Sequence, residues 1–169
     1  MALDLQPLGV PSPRPRARWL APLSIALGSL VTILPVIATV PFLPPFGLLM
    51  LLGWRLLRPD ALRVWAAAPL GLFDDLLSGQ PFGAAMFLWM ACMLIIDVLE
   101  TRIVWRNFWQ DWLIAAGATG FVLIAGRFLA SPISAKVDAA LLLQAGASAM
   151  LFPLASRLCA WLDRDVVKA

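Results

Sequence analysis

Six apolar stretches, at about 19–40, 42–57, 61–77, 82–99, 112–130 and 138–162, take up most of this 169-residue chain. A helix rises 1.5 Å per residue, so crossing a ~30 Å hydrocarbon layer takes about 20 apolar residues. The first, fifth and sixth stretches meet that length; the second and third fall short of it. The connecting segments PFLPP, RLLRPDALR, SGQP, ETRIVWRNFWQD and SPISAKVD are all too short to form an extramembrane domain. The chain is 62% hydrophobic and 14% charged, against roughly 25% charged in soluble domains. A core of this size cannot hide so much apolar surface, and lipid must cover the remainder. The expected fold is therefore all-α: an integral membrane protein, a compact bundle of about six transmembrane helices in one domain, residues 19–165. Residues 1–18 form a Pro-rich tail, since Pro7, Pro11, Pro13 and Pro15 favour extended, unpacked chain. The apolar run from Trp19 to Val40 is longer than a signal-peptide core, so it reads as a retained anchor.

Charge sets the expected orientation. With both termini cytoplasmic, Arg14, Arg16, Arg18, Arg55, Arg58, Arg63, Arg102, Arg106, Arg157, Arg164 and Lys168 fall on the inner side, and only Arg127 and Lys136 fall outside. That bias follows the positive-inside rule and requires an even number of spans. Trp19, Trp54, Trp65, Trp105, Trp109, Trp112 and Trp161 lie near the same inner boundary, as an interfacial aromatic belt would place them. The net charge of +3 therefore marks membrane boundaries and implies no nucleic-acid partner. The chain has no histidine, which excludes a His-based metal or proton-relay site. Cys92 and Cys159 sit singly in apolar segments and read as packing residues. No metal and no cofactor is expected.

The unusual segment is GLFDDLLSGQPFG, residues 71–83. Asp74 lies eleven residues beyond Arg63, or about 16 Å along a helix, roughly half of the hydrocarbon layer. Asp74 and Asp75 then sit in the outer half of the membrane, facing a partner or a cavity. The alternative ends the helix at Phe73 and leaves both carboxylates in water. Adjacent carboxylates near a helix C-terminus repel each other and oppose the macrodipole, so something must offset them. One candidate is the N-terminus of the next helix, where Gly79-Gln80-Pro81 puts proline at a first helical position. The other is Arg127, at a similar depth in the fifth span. A catalytic dyad is disfavoured, because neighbours on a helix point about 100° apart.

Asp97 and Glu100 stand near Arg102 and Arg106, where local ion pairing is expected. Pro35, Pro69 and Pro153 interrupt three helices. The small-residue runs AAGATG, 115–120, and AGASA, 145–149, should let spans five and six approach closely, within one chain or across a homodimer.

Three features resemble the bacterial rod shape-determining protein MreD family. Pro44-Pro45-Phe46-Gly47-Leu48-Leu49 is similar to the family's entry to a short second span. Gly71, Asp75, Ser78, Gly79, Pro81 and Gly83 fall in a segment resembling its G-x-x-x-D-(apolar)-x-S/G-G-x-x-(apolar)-G pattern, with Asp75 at the acidic position. Pro153 in the last span, followed by Arg157 and Arg164, resembles its C-terminal end. Asp74 departs from the pattern, which carries one acid. The resemblance implies a non-enzymatic scaffold of the cell-elongation machinery in the bacterial inner membrane, acting in rod shape and peptidoglycan synthesis. Its implied partners are an MreC-like protein, a RodA-type glycosyltransferase, a penicillin-binding transpeptidase and MreB. A second expectation is a substrate-binding membrane component of a vitamin-type importer. It would show as a polar outer cavity lined by Asp74, Asp75 and Arg127.

Overall fold

The computed structural model describes residues 15–31, 44–79, 81–102, 107–130 and 139–168, and within them the regular structure is entirely helical. Six α-helices follow in order: α1 Pro15–Leu30, α2 Phe46–Leu57, α3 Ala67–Ser78, α4 Ala84–Arg102, α5 Phe108–Ala130 and α6 Ala139–Lys168. A 3-10 turn, Val64–Ala66, leads into α3. Among the described residues, α4, α5 and α6 are long and apolar enough to cross a membrane; α1 and α2 are shorter apolar helices. The segment read as a tail gives up its last four residues to α1, which starts at Pro15. Proline suits a first helical position because the missing N–H would have no intrahelical acceptor there. Residues 1–14, Arg14 among them, lie outside the described residues, as do Pro35, Gln80, Trp105, Arg106 and Lys136.

The centre of the bundle is α2. Its sequence, FGLLMLLGWRLL, is apolar on every face, and Gly47 through Leu56 are all buried. A helix with no polar stripe has nothing to present to water and is stable only when surrounded. Helices α1, α5 and α6 pack on it, and α3 and α4 pair as a hairpin against α1 and α5. A methyl at Gly28 would sit 3.2 Å from the Phe46 backbone, and one at Gly53 would sit 2.9 Å from Cys159 Sγ, so α1 and α6 come close to α2 where it lacks side chains. The outer surface is the inverse of a soluble protein's. Leu27, Val98, Phe121, Leu142, Met150 and Leu154 are all exposed, an apolar girdle that only lipid or another protein would solvate.

Ion pairs tie three helix ends together. Arg55, 4% exposed, donates from Nη2 to Asp97 at 2.7 Å and Glu100 at 2.9 Å, and from Nη1 to the Pro59 carbonyl at 3.0 Å. Arg58 pairs with Asp163 at 3.1 Å. The C-terminal ends of α2, α4 and α6 therefore lie together, with exposed Arg63, Arg102, Arg157 and Arg164 around them. Of the local pairing expected with Arg102 and Arg106, Arg106 lies outside the described residues; among the described residues both acids pair with Arg55 of another helix. Asp97 and Glu100 are three apart and share the face turned to α2; Arg102 is exposed.

Other expectations also shift. Trp19, Trp65, Trp109 and Trp161 are exposed around that end, but Trp54 is fully buried and donates its indole N–H to Ser24 Oγ at 2.7 Å. It faces α1 from the central helix, so it is core and not belt. Pro69 lies in the first turn of α3, where a missing N–H breaks no helical bond, and interrupts nothing. Pro22 and Pro153 are the prolines inside described helices. Helices α5 and α6 do pack, and a Trp112 N–H bond to the Ala149 carbonyl at 2.9 Å joins them. The glycines of the two small-residue runs take no part: a methyl at Gly117, Gly120 or Gly146 would meet nothing within 4 Å.

The Arg55 cluster orders three substitutions. Arg55→Met removes a buried cation that satisfies two acids, and should cost about 3 kcal/mol. Glu100→Gln should cost more than Asp97→Asn, because the Glu100 side chain is 18% exposed and that of Asp97 55%. Thermal unfolding in detergent gives the ranking directly.

Candidate functional site: the α3–α4 hairpin and its cavity

Helix α3 does not stop at Phe73. It continues to Ser78 and ends on Gly79, whose φ of 67° is the left-handed conformation that caps helices and favours glycine. Asp75, 2% exposed, thereby faces the start of α4. Its carboxylate accepts the backbone N–H of Gly83 at 3.0 Å, Ala85 at 2.9 Å and Met86 at 3.3 Å. Ala84 N–H goes to the Pro81 carbonyl at 3.0 Å, and Phe87 N–H makes the first helical bond, to Gly83, at 2.9 Å. Every N–H from Ala84 to Phe87 has an acceptor, and an anion sits where the helix dipole favours one. Pro81 thus lies in the turn, three residues before α4 starts, and not at its first position. Gly83 turns the chain at φ 89° while donating to the carboxylate.

Gly71 explains how Asp75 reaches so far. A methyl on it would lie 2.7 Å from Met86 Cα and 2.8 Å from the Ala85 backbone, atoms that cannot swing aside. The two helices touch backbone to backbone one turn below the carboxylate. Gly71, Asp75, Gly79 and Gly83 are therefore one device, a close approach, a cap and two left-handed turns. Ser78 and Pro81 are exposed at its tip.

Asp74 points elsewhere. It meets α1 and α2 at a junction where the fully buried Ser29 and the Asp74 carboxylate both lie against Gly47. A methyl on Gly47 would overlap the Ser29 hydroxyl and lie 3.2 Å from Asp74 Oδ1 and 3.1 Å from the Trp89 ring. Gly47 therefore lets four helices converge on this carboxylate. Beyond the junction opens a cavity of about 670 Å³. Asp74 and Gly79 contribute from α3, Trp89 from α4, Gly126 and Arg127 from α5, and Gln144 from α6. Asp75 is absent from its walls. The two partners considered for the acidic pair thus divide between them: the next helix N-terminus takes Asp75, and Arg127 shares a cavity with Asp74. Sequence reasoning missed Ser29 and Gln144, although a serine and an amide inside apolar spans were visible signals.

Among the described residues no group of three or more His, Cys, Asp or Glu side chains is placed to hold a metal. Two comparisons return nothing: no curated protein and no solved structure matches the chain. One family model does match, over residues 14–160, and its description is rod shape-determining protein MreD.

The hairpin geometry separates two glycine classes. Gly71→Ala must push α4 away and should cost about 1–3 kcal/mol. Gly117→Ala, with open space around it, should be neutral or stabilise by up to about 1 kcal/mol through helix propensity. Equal effects in detergent melts would contradict the packing. Asp75→Ala strands buried N–H donors and should cost about 2–3 kcal/mol. Asp75→Asn, which keeps one acceptor oxygen, should fall between it and wild type.

Proposed function

Because the chain belongs to the rod shape-determining MreD family, we propose that it is a non-enzymatic scaffold of the bacterial cell-elongation machinery. In this reading it is a multi-pass protein of the inner membrane with six spans and both termini cytoplasmic. It contributes to rod shape and peptidoglycan synthesis by binding an MreC-like protein and, through it or beside it, RodA-type and penicillin-binding synthases and the MreB filament. The family match carries the reading.

The use of polar residues supports it. Asp75 is spent on capping α4, and Arg55, Asp97 and Glu100 on tying helix ends. What the bundle offers a neighbour is its exposed apolar flank, suited to lateral contact with single-span helices. The basic residues gathered where α2, α4 and α6 end support that orientation. In the short α3, flanked by Trp65, the 3-10 turn adds length at the inner boundary. Asp75 serves assembly indirectly, by fixing the hairpin whose outer face partners meet.

Affinity purification of the tagged protein from its own membranes in mild detergent, with mass spectrometry of the co-purifying proteins, tests this. An MreC-like protein with elongation synthases is the expected result, reduced by Asp75→Ala at matched membrane levels. Recovery of an ATPase module and a coupling protein instead would overturn the scaffold reading in favour of transport.

A further inference from the structure

The cavity beside Asp74 combines features that the hairpin does not need. Its walls bring a carboxylate from α3, a guanidinium from α5 and an amide from α6, Asp74, Arg127 and Gln144, around an apolar floor of Leu88, Trp89 and Val122. Its volume, about 670 Å³, lies within the range of small-molecule sites, and polar and apolar groups share its half-open lining. Phe82 and Leu141 also line it, and Phe82 is 79% exposed, so the polar interior is bordered by surface that lipid would cover. Asp75, the acid of the family-like segment, takes no part. Asp74 is the additional acid of this chain.

We propose that this cavity binds a small zwitterion carrying an ammonium group and a phosphate, of the phosphoethanolamine type. The ammonium pairs with Asp74 at the inner wall, where α1, α2 and α4 crowd the carboxylate around Gly47. The phosphate pairs with Arg127, whose planar fork suits phosphate oxygens, and Gln144 donates an amide hydrogen. The apolar floor accepts the carbon skeleton. An acid in the interior of a bilayer needs a cationic or hydrogen-bonding partner, and a ligand with both charges matches both walls without adding net charge to the bundle. The same chemistry comes from two sources, the headgroup of phosphatidylethanolamine or a free phosphorylated amine. The inference needs the bundle to lie in a membrane and is independent of which proteins it scaffolds.

Native mass spectrometry of the purified full-length protein, released from detergent, tests it with three probes: phosphatidylethanolamine, phosphatidylglycerol and free phosphoethanolamine. The expected result is phosphatidylethanolamine retained about fivefold over phosphatidylglycerol, the worth of one charge-assisted contact, or saturable binding of phosphoethanolamine. The first identifies a lipid headgroup as the ligand and the second a soluble amine. Asp74→Asn should abolish the preference for the amine, and Arg127→Gln should weaken every phosphorylated probe. Ala130→Trp, which fills the cavity from its rim without touching either charge, should block binding and keeps the test decisive if an Asp74 variant fails to fold. No preference and no phosphoethanolamine binding by wild type would overturn the proposal. So would a preference that survives both Asp74→Asn and Ala130→Trp.

Discussion

Everything in this bundle is arranged around a twelve-residue helix with no exposed face. Helix α2 is about 18 Å long and buried from Gly47 to Leu56, so its neighbours must close around it completely. That requirement explains where the small residues are placed. Gly28, Gly47 and Gly53 let other chains approach at three points along its length. It also explains why a charge as costly as Arg55 sits at its end, since only there can the guanidinium reach the C-terminal turns of a second helix. The carboxylates of Asp97 and Glu100 repay the desolvation that burying Arg55 incurs.

Depth was legible in the sequence, and azimuth was not. The positions of the apolar runs, the gathering of arginines at one end of the bundle and the nearness of the acidic pair to the next helix all follow from distance along the chain, which 1.5 Å per residue converts to height. Trp54 and Trp65 stand near the same end of the bundle, yet one is core and the other faces outward. Which it is depends on rotation about the helix axis, and α2 carries no polar stripe to reveal it. The glycines misled for the same reason. Gly117, Gly120 and Gly146 advertise close packing by composition alone, while the backbone contact that matters is made by the isolated Gly71.

Adjacent residues can have opposite duties when a helix turns 100° between them. Asp74 and Asp75 look like a pair and are used separately. One closes the start of α4, with its oxygens fully engaged by backbone donors; the other joins Ser29 and Gly47 at the head of a cavity. The cavity exists because α5 and α6 do not close over α3 and α4 where Gly126, Ala130 and Leu141 line it.

The capping of α4 by Asp75 makes the two helices mutually dependent. The donors that meet this carboxylate all belong to a segment that follows it in the chain, Gly83, Ala85 and Met86. Alone, α3 offers twelve residues, two of them acidic, and the first turn of α4 alone has orphan N–H groups. Each helix supplies what the other lacks. The α3–α4 hairpin is thus the smallest piece of this bundle in which both the buried carboxylate and the start of α4 are satisfied.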